Sequence, residues 1–197
     1  GRLQGLKLMM AAHCGFSADL SGPVADRAVF HADNAYFLED VEITSYRCKL
    51  NTQSHTAFRG FGGPQGMIVT EAIMSDIARH LNLDPLTVRQ RNLYSDEPIH
   101  AAPDAARATG LRNTTHYGMP VEGNILQPLL SKLELTAQYQ QRRKAISAWN
   151  ADHGTVQRGL AITDRARSRG WCRGDRTGDS RGDRARCAAR GRCRPRS

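Results

Sequence analysis

The sequence lacks long apolar runs: no segment of its 197 residues approaches the roughly 18 consecutive apolar residues that a membrane-spanning helix requires. It also lacks a basic stretch followed by an apolar segment, which is the pattern of a secretory signal peptide. These absences argue against a helical membrane protein and against an exported precursor. We therefore expect a soluble, cytoplasmic protein with no membrane partner.

Cysteine is scarce, with five residues and no Cys-x-x-Cys pair, and this odd count does not suggest a disulfide framework. Cys14 and Cys48 lie among apolar residues, so we expect both to be small buried side chains. Five of the histidines likewise do not have the sequence spacing that is typical of metal ligands: His13, His31, His55, His80 and His100.

The net positive charge of the chain comes from its C-terminal segment. The net charge is +9, and residues 165–197 contain 12 Arg and 3 Asp, which gives the same +9. The preceding 164 residues are therefore neutral overall, so the body of the protein has no general preference for an acidic partner. Because the tail from residue 165 has no Lys, Ile, Leu, Val or Phe, it cannot bury enough apolar surface to fold, and we expect disorder.

Periodicity predicts strands and helices in the rest of the chain. Residues 2–16 predict one or two strands, and alternation over 41–50 predicts another, although which face is buried stays open. Residues 95–123 predict a long irregular loop. Helices are predicted over about 23–32, 65–81, 85–93 and 128–149.

Two of the helices carry specific signals. The helix after residue 65 is predicted to bury one stripe of apolar side chains, which consists of Val69, Ile73, Ile77 and Leu81. Met74 and Ala78 lie beside this stripe. The next helix has a typical start, because Asp84 is a good N-cap and Pro85 suits the first helical position.

The segment most suggestive of a ligand site runs from Thr56 to Gly66, with the sequence TAFRGFGGPQG. Glycines allow a close approach of the backbone, and the start of a helix favours anions. Arg59 adds a planar set of donors, and Phe58 and Phe61 are able to stack on a flat ring. The alternative is a tight connection in which the glycines serve backbone geometry and the phenylalanines are core. A nucleotide P-loop is not indicated, because no Gly-Lys-Ser/Thr follows.

Three segments closely resemble the xanthine dehydrogenase and oxidase family: NTQSHTAFRGFGGPQG over 51–66, ADRAVFHADNAYFLEDVEI over 25–43, and VRQRNLY over 88–94. The resemblance extends over residues 1–163. It implies an α+β fold that is part of the molybdenum-cofactor-binding domain of a molybdenum hydroxylase. It also implies a molybdenum–molybdopterin cofactor and hydroxylation of hypoxanthine and xanthine to urate with oxygen from water.

The resemblance implies roles for four residues. Arg59 lies against the molybdenum cofactor without being a direct metal ligand, and Phe58 lies beside it. Phe61 packs on the flat purine, and Arg27 binds the purine and stabilises its developing negative charge. The physical chemistry agrees, because a guanidinium at a charge that grows during the reaction stabilises the transition state more than the ground state. Without the resemblance, Arg27 would be taken as a solvated helix residue beside Asp26.

Other parts that the family requires are expected outside this chain. These are a catalytic glutamate base, a second substrate-binding glutamate, [2Fe-2S] clusters, FAD and NAD, and an iron–sulfur and flavin subunit or domain. The full enzyme is expected to be a heterotetramer or a homodimer. No catalytic residue is therefore assigned here, and the chain alone is expected to be inactive.

The chain is predicted to consist of two parts, a cofactor- and substrate-binding fragment over 1–163 and a disordered tail over 164–197. RGLAIT over 158–163 resembles the family, whereas the Arg-rich run that follows is typical of a coding region read out of frame.

Two other functions are considered. The chain could be an inactive interaction piece of the same enzyme, or it could bind nucleic acid nonspecifically through its Arg/Gly tail. The tail has one Trp and no other aromatic residue, which disfavours stacking on bases, so nucleic acid is not the expected partner.

Overall fold

The computed structural model describes residues 1–99 and 110–163. In chain order the elements are β1 (Gly5–Gly15), α1 (Ser21–Phe30), β2 (Asp40–Lys49), α2 (Gly63–His80), α3 (Pro85–Asn92), α4 (Leu126–Thr136) and α5 (Tyr139–Asp152). Within this part of the chain, no helix is long and apolar enough to cross a membrane.

The first three elements form a strand–helix–strand unit. β1 and β2 pair in parallel, with Leu8 opposite Ile43, and α1 supplies the crossover that a parallel pair requires. Every second residue of β1 from Leu6 to Ala12 is partly buried. Arg47, which lies opposite Ala12, forms an ion pair with Asp26 of α1. The apolar face of the sheet is therefore the face that α1 covers.

Cys48 contradicts its sequence-based prediction. Cys14 is buried as expected, but Cys48 is exposed. Cys48 lies near the end of β2, where the last four residues of the strand are all exposed. Its neighbours in sequence, Arg47 and Lys49, are charged. Alternate strand residues point to opposite faces, and one face of the sheet has no covering element in the described part of the chain, so Cys48 is left exposed.

Helix α2 packs through a different stripe from the predicted one. Met74 and Ala78 are fully buried as expected, together with Thr70 and Gly66. Val69, Ile73 and Ile77 are only partly buried, and Leu81 is 45% exposed, so its place on the core stripe was wrong. A different stripe of α2 is buried because its residues are small, which lets the backbones of α1 and α2 approach each other closely. Thr70 also donates its hydroxyl to the carbonyl oxygen of Ala32.

The core lies between α2, α3 and the last two helices. Asp84 caps α3 as predicted, since its Oδ1 accepts from the N–H of Leu86 at 2.8 Å. The main cluster of buried apolar side chains contains Ala35, Tyr36, Met74, Ala78, Leu86, Val88, Leu93, Leu130, Tyr139 and Ile162.

The predicted single helix over 128–149 is two helices. Gln138 has a left-handed conformation with φ 49°, and it separates α4 from α5. This break allows Tyr139 to turn into the core, where it is 1% exposed and its hydroxyl donates to Asp84 Oδ1 at 3.0 Å. Burial, followed by the hydrogen bond to Asp84, raises the pKa of Tyr139 to about 12. Tertiary packing therefore overrides the continuous helical pattern.

Candidate cofactor and substrate site

The motif over 56–66 forms a tight turn between β2 and α2. The N–H of Phe61 donates to the carbonyl oxygen of Phe58 at 2.9 Å, and that of Gly63 donates to Gly60 at 3.0 Å. Gly60, Phe61 and Gly62 have consecutive positive φ angles of 98°, 49° and 96°. Glycine adopts such angles easily and phenylalanine rarely does. The glycines on both sides therefore hold Phe61 in a conformation that it would not adopt by itself.

The turn packs directly on α1, and glycine is required at the contact. A Cβ atom at Gly62 would overlap the carbonyl oxygen of Val24, and a Cβ atom at Gly66 would overlap that of Ala28. Any larger residue at either position would force α2 away from α1. The interpretation that these glycines serve backbone geometry is correct, and the same contact places the helix that carries Arg27 against the turn.

The four residues with predicted roles lie on these two packed segments. Arg27 is exposed on α1, Phe58 and Arg59 are exposed where the turn begins, and Phe61 is partly buried. Because Phe58 is 80% exposed, the alternative in which both phenylalanines are core is wrong for Phe58. An aromatic ring this exposed, next to a guanidinium, is available for contact with a ligand or with another protein segment.

The charge near Arg27 is arranged by its neighbours on α1 and β2. Asp26, the adjacent acid, pairs with Arg47. The backbone N–H of His31 donates to the carbonyl oxygen of Arg27 at 3.1 Å. Burial, and secondly the positive charge of Arg27, lower the pKa of the His31 imidazole. Burial of His31 and the charge of Arg27 thus both disfavour a second positive charge at this end of α1.

A buried polar cluster anchors the end of α1. Asp33 accepts a hydrogen bond from the Tyr94 hydroxyl, and burial followed by the charge of Asp33 raises the pKa of Tyr94 well above its usual value. His116 Nε2 lies 3.0 Å from the carbonyl oxygen of Val29, and its Nδ1 lies 3.4 Å from Asp33 Oδ2. Asp33 and Asn34, which follow the end of α1, are therefore both buried and hydrogen-bonded.

A groove of 410 Å³ runs between the sheet, α1 and the segment that leads into the turn. This volume is within the range of small-molecule sites. Its walls include Leu8, Met10, Ala25, Ala28, Thr56 and Gln65. The groove thus continues the surface of the turn with mostly apolar walls.

One pair of residues was missed by the sequence analysis. His13 Nδ1 and His55 Nε2 lie 3.0 Å apart, although 42 residues separate them in the chain. No local spacing signals this pair, because it depends on how the segment after β2 returns along the end of β1.

The residues present fit a cofactor that brings its own metal ligands. In residues 1–99 and 110–163, no group of three or more His, Cys, Asp or Glu side chains is placed to hold a metal ion. What the turn offers instead is an exposed guanidinium, an exposed aromatic ring and exposed backbone without a side chain at Gly60. These groups suit an organic, partly anionic cofactor.

Comparison of the sequence with known proteins identifies relatives of one kind. Residues 1–93 match the model of the molybdopterin cofactor-binding domain. The chain is 37% identical to the xanthine dehydrogenase/oxidase of Gallus gallus over 162 residues, which is 82% of this chain and 11% of that protein. It is 33% identical over the same length to the xanthine dehydrogenase of Dictyostelium discoideum, with the same shares covered. It is also 34% identical over 150 residues to a nicotinate hydroxylase of Emericella nidulans, covering 76% of this chain and 10% of that protein.

Solved structures show the same fold. The aldehyde oxidoreductase of Desulfovibrio desulfuricans superimposes with a TM-score of 0.54 at 21% identity, over 70% of this chain and 13% of that one. The quinoline 2-oxidoreductase of Pseudomonas putida gives 0.51 at 22% identity, over 73% and 17%. The chain thus spans about a tenth of the length of its sequence relatives and a similar share of these structures.

Proposed function

The chain belongs to the molybdopterin cofactor-binding domain family through residues 1–93, and from that premise we propose that it forms one wall of the cofactor and purine site of a xanthine dehydrogenase. The observation that carries the proposal is the contact of the glycine-rich turn with α1. Because Gly62 and Gly66 leave no space for a side chain against Val24 and Ala28, the two segments that bear the candidate residues are held in fixed relation.

In this proposal Arg27 and Phe61 serve the substrate. Phe61 presents a flat ring to the planar purine and restricts its tilt without demanding a particular substituent. Arg27 stabilises the negative charge that develops on the purine when it is hydroxylated, and its planar fork fixes the direction of the contact as well as its charge. The substrates would be hypoxanthine and xanthine and the final product urate.

Arg59 and Phe58 serve the cofactor. Arg59 donates hydrogen bonds to it, and Phe58 covers it from water; both side chains are exposed in this chain. When bound, molybdenum–molybdopterin supplies the transfer of oxygen and the acceptance of two electrons. Those electrons would pass to [2Fe-2S] clusters, FAD and NAD carried by other segments or subunits.

The general base is proposed to come from outside this chain. Glu71, the only glutamate of α2, already accepts hydrogen bonds from Asn34, Tyr36 and Arg89. Because these contacts engage both of its carboxylate oxygens, Glu71 is not proposed as that base.

The test uses a full-length hydroxylase subunit that contains this sequence. Arg27→Met should slow xanthine turnover by roughly 10²–10³-fold, by analogy with removal of one oxyanion donor, while the molybdenum content stays normal. Arg59→Ala should lower molybdenum content or activity. The matched control is Arg142→Met, an exposed arginine on α5, which should change neither quantity.

Two results would contradict these roles. Unchanged xanthine turnover in Arg27→Met would remove Arg27 from substrate binding. Normal molybdenum content together with normal rates in Arg59→Ala would remove Arg59 from cofactor binding.

A further inference from the structure

We propose that His13 and His55 form a binding site for a divalent transition-metal ion, with Cu²⁺ and Ni²⁺ as the best-suited ions. Both histidines line the groove beside the glycine-rich turn, but neither is among the four residues proposed to contact the cofactor or the substrate. Its first support is the distance of 3.0 Å between His13 Nδ1 and His55 Nε2, with the ring centroids 5.0 Å apart and the rings tilted by 51°.

Two nitrogens at this separation are suited to one metal ion. Imidazole nitrogen lies about 2.0–2.1 Å from a bound first-row ion such as zinc. With such bonds, a nitrogen–nitrogen distance of 3.0 Å corresponds to an angle at the metal of about 91–97°. That is the angle between neighbouring ligands in square-planar or tetragonal complexes, which Cu²⁺ and Ni²⁺ favour over the wider tetrahedral angle.

The backbone holds the pair together. The N–H of His55 donates to the carbonyl oxygen of Cys14 at 3.0 Å, and the carbonyl oxygen of His55 accepts from Ser21 Oγ at 3.3 Å. The N–H of Phe16 donates to Thr52 at 3.0 Å. Because residues 50–55 run along the end of β1 through these bonds, little further ordering is needed when an ion binds.

Both imidazoles are exposed, so an ion reaches them directly. One proton lies between the two nitrogens in the metal-free pair. For both nitrogens to coordinate, that proton moves through solvent to the other nitrogen of the same ring, and the rings rotate until their lone pairs converge. No net proton is released from two neutral imidazoles, whereas acid that protonates them releases the ion.

The remaining coordination positions belong to water. In the described parts of the chain, no third His, Cys, Asp or Glu side chain joins a metal-holding group, so a two-residue site of modest affinity is expected. An ion bound here would link β1 to the segment just before Phe58 and would restrict the approach to the glycine-rich turn.

The experiment titrates the 197-residue chain with Ni²⁺ by calorimetry. In all samples Cys172, Cys187 and Cys193 are replaced by serine, so that the tail thiols do not bind the metal. His13→Asn and His55→Asn should each lower the affinity by about tenfold or more. The matched control, His80→Asn at the exposed end of α2, should leave it unchanged.

A second measurement needs no histidine variant. Paramagnetic Ni²⁺ at low ratio should broaden the imidazole NMR signals of two of the seven histidines, and acid should restore them. Affinity retained in both His13→Asn and His55→Asn, or equal broadening of all exposed histidines, would overturn the proposal and leave the pair as a hydrogen bond alone.

Discussion

At the scale of single residues, a largely buried ion pair joins Glu71 to Arg89. Arg89 Nε donates to Glu71 Oε2 at 2.8 Å; the Arg89 side chain is 3% exposed and that of Glu71 is 16% exposed. The guanidinium also donates to Ser75 Oγ at 2.9 Å. Burial opposes the charged form, but the hydrogen bond and the charge of Glu71 raise the pKa of Arg89. Such complete pairing is what offsets the cost of removing two charges from water.

We expect Arg89→Met to destabilise the chain by about 3–5 kcal/mol, because it leaves Glu71 buried without a counter-charge. Chemical denaturation followed by circular dichroism measures the change. Arg79→Met is the matched control, since Arg79 forms an exposed pair with Asp76 and such pairs contribute about 0–1 kcal/mol. Equal losses in the two variants would show that the buried pair has no special weight.

The sequence predicts some of these residues and not others, for a physical reason. The family motifs single out Arg27, Phe58, Arg59 and Phe61 as candidates, because the order of residues in each segment carries the signal; their roles stay predictions. The motifs could not locate the contact of His13 with His55, which depends on the register of distant segments.

At the scale of elements, α2 and its glycine-rich turn position everything in the candidate site. The start of α2, its pairing with α1 and the capping of α3 by Asp84 follow from glycine, proline and aspartate at specific places. The break between α4 and α5 does not, because the residues around Gln138 include neither glycine nor proline and the local pattern is helical throughout. The family and the α+β fold predicted from the motifs are confirmed.

We expect Gly62→Ala to destabilise the chain by more than about 1–3 kcal/mol, the range that backbone strain alone contributes. Its φ of 96° disfavours any side chain, and the new methyl group would overlap the carbonyl oxygen of Val24. Gly154→Ala is the control: nothing lies within 4 Å of its added Cβ, so its effect should stay within about 0.5 kcal/mol. Thermal unfolding of both variants measures the difference, and a stable Gly62→Ala chain would mean that α1 and α2 do not pack as closely as described.

At the scale of the whole molecule, the described surface carries large apolar side chains that water does not favour. Phe58 is 80% exposed, Leu135 78%, Met9 72% and Ile68 68%. Exposed apolar side chains of this size suit contact with other protein where they form a continuous patch. This exposure agrees with a chain that covers only 11% of a relative such as the chicken enzyme, and it supports the alternative of an interaction piece as well as that of a catalytic wall. The predicted disorder of the tail and its possible binding of nucleic acid concern residues 164–197, which lie outside the described residues.

We expect the isolated 197-residue chain to form no urate from xanthine and to retain no molybdenum cofactor. Arg27 and Phe61 supply contacts from one side, whereas catalysis by proximity requires the base and the opposite wall to be held against the same substrate. The measurement is to express the chain alone, supply the cofactor, and assay urate formation and bound molybdenum beside a full-length subunit treated in the same way. Turnover with stoichiometric molybdenum would mean that a base lies within these residues.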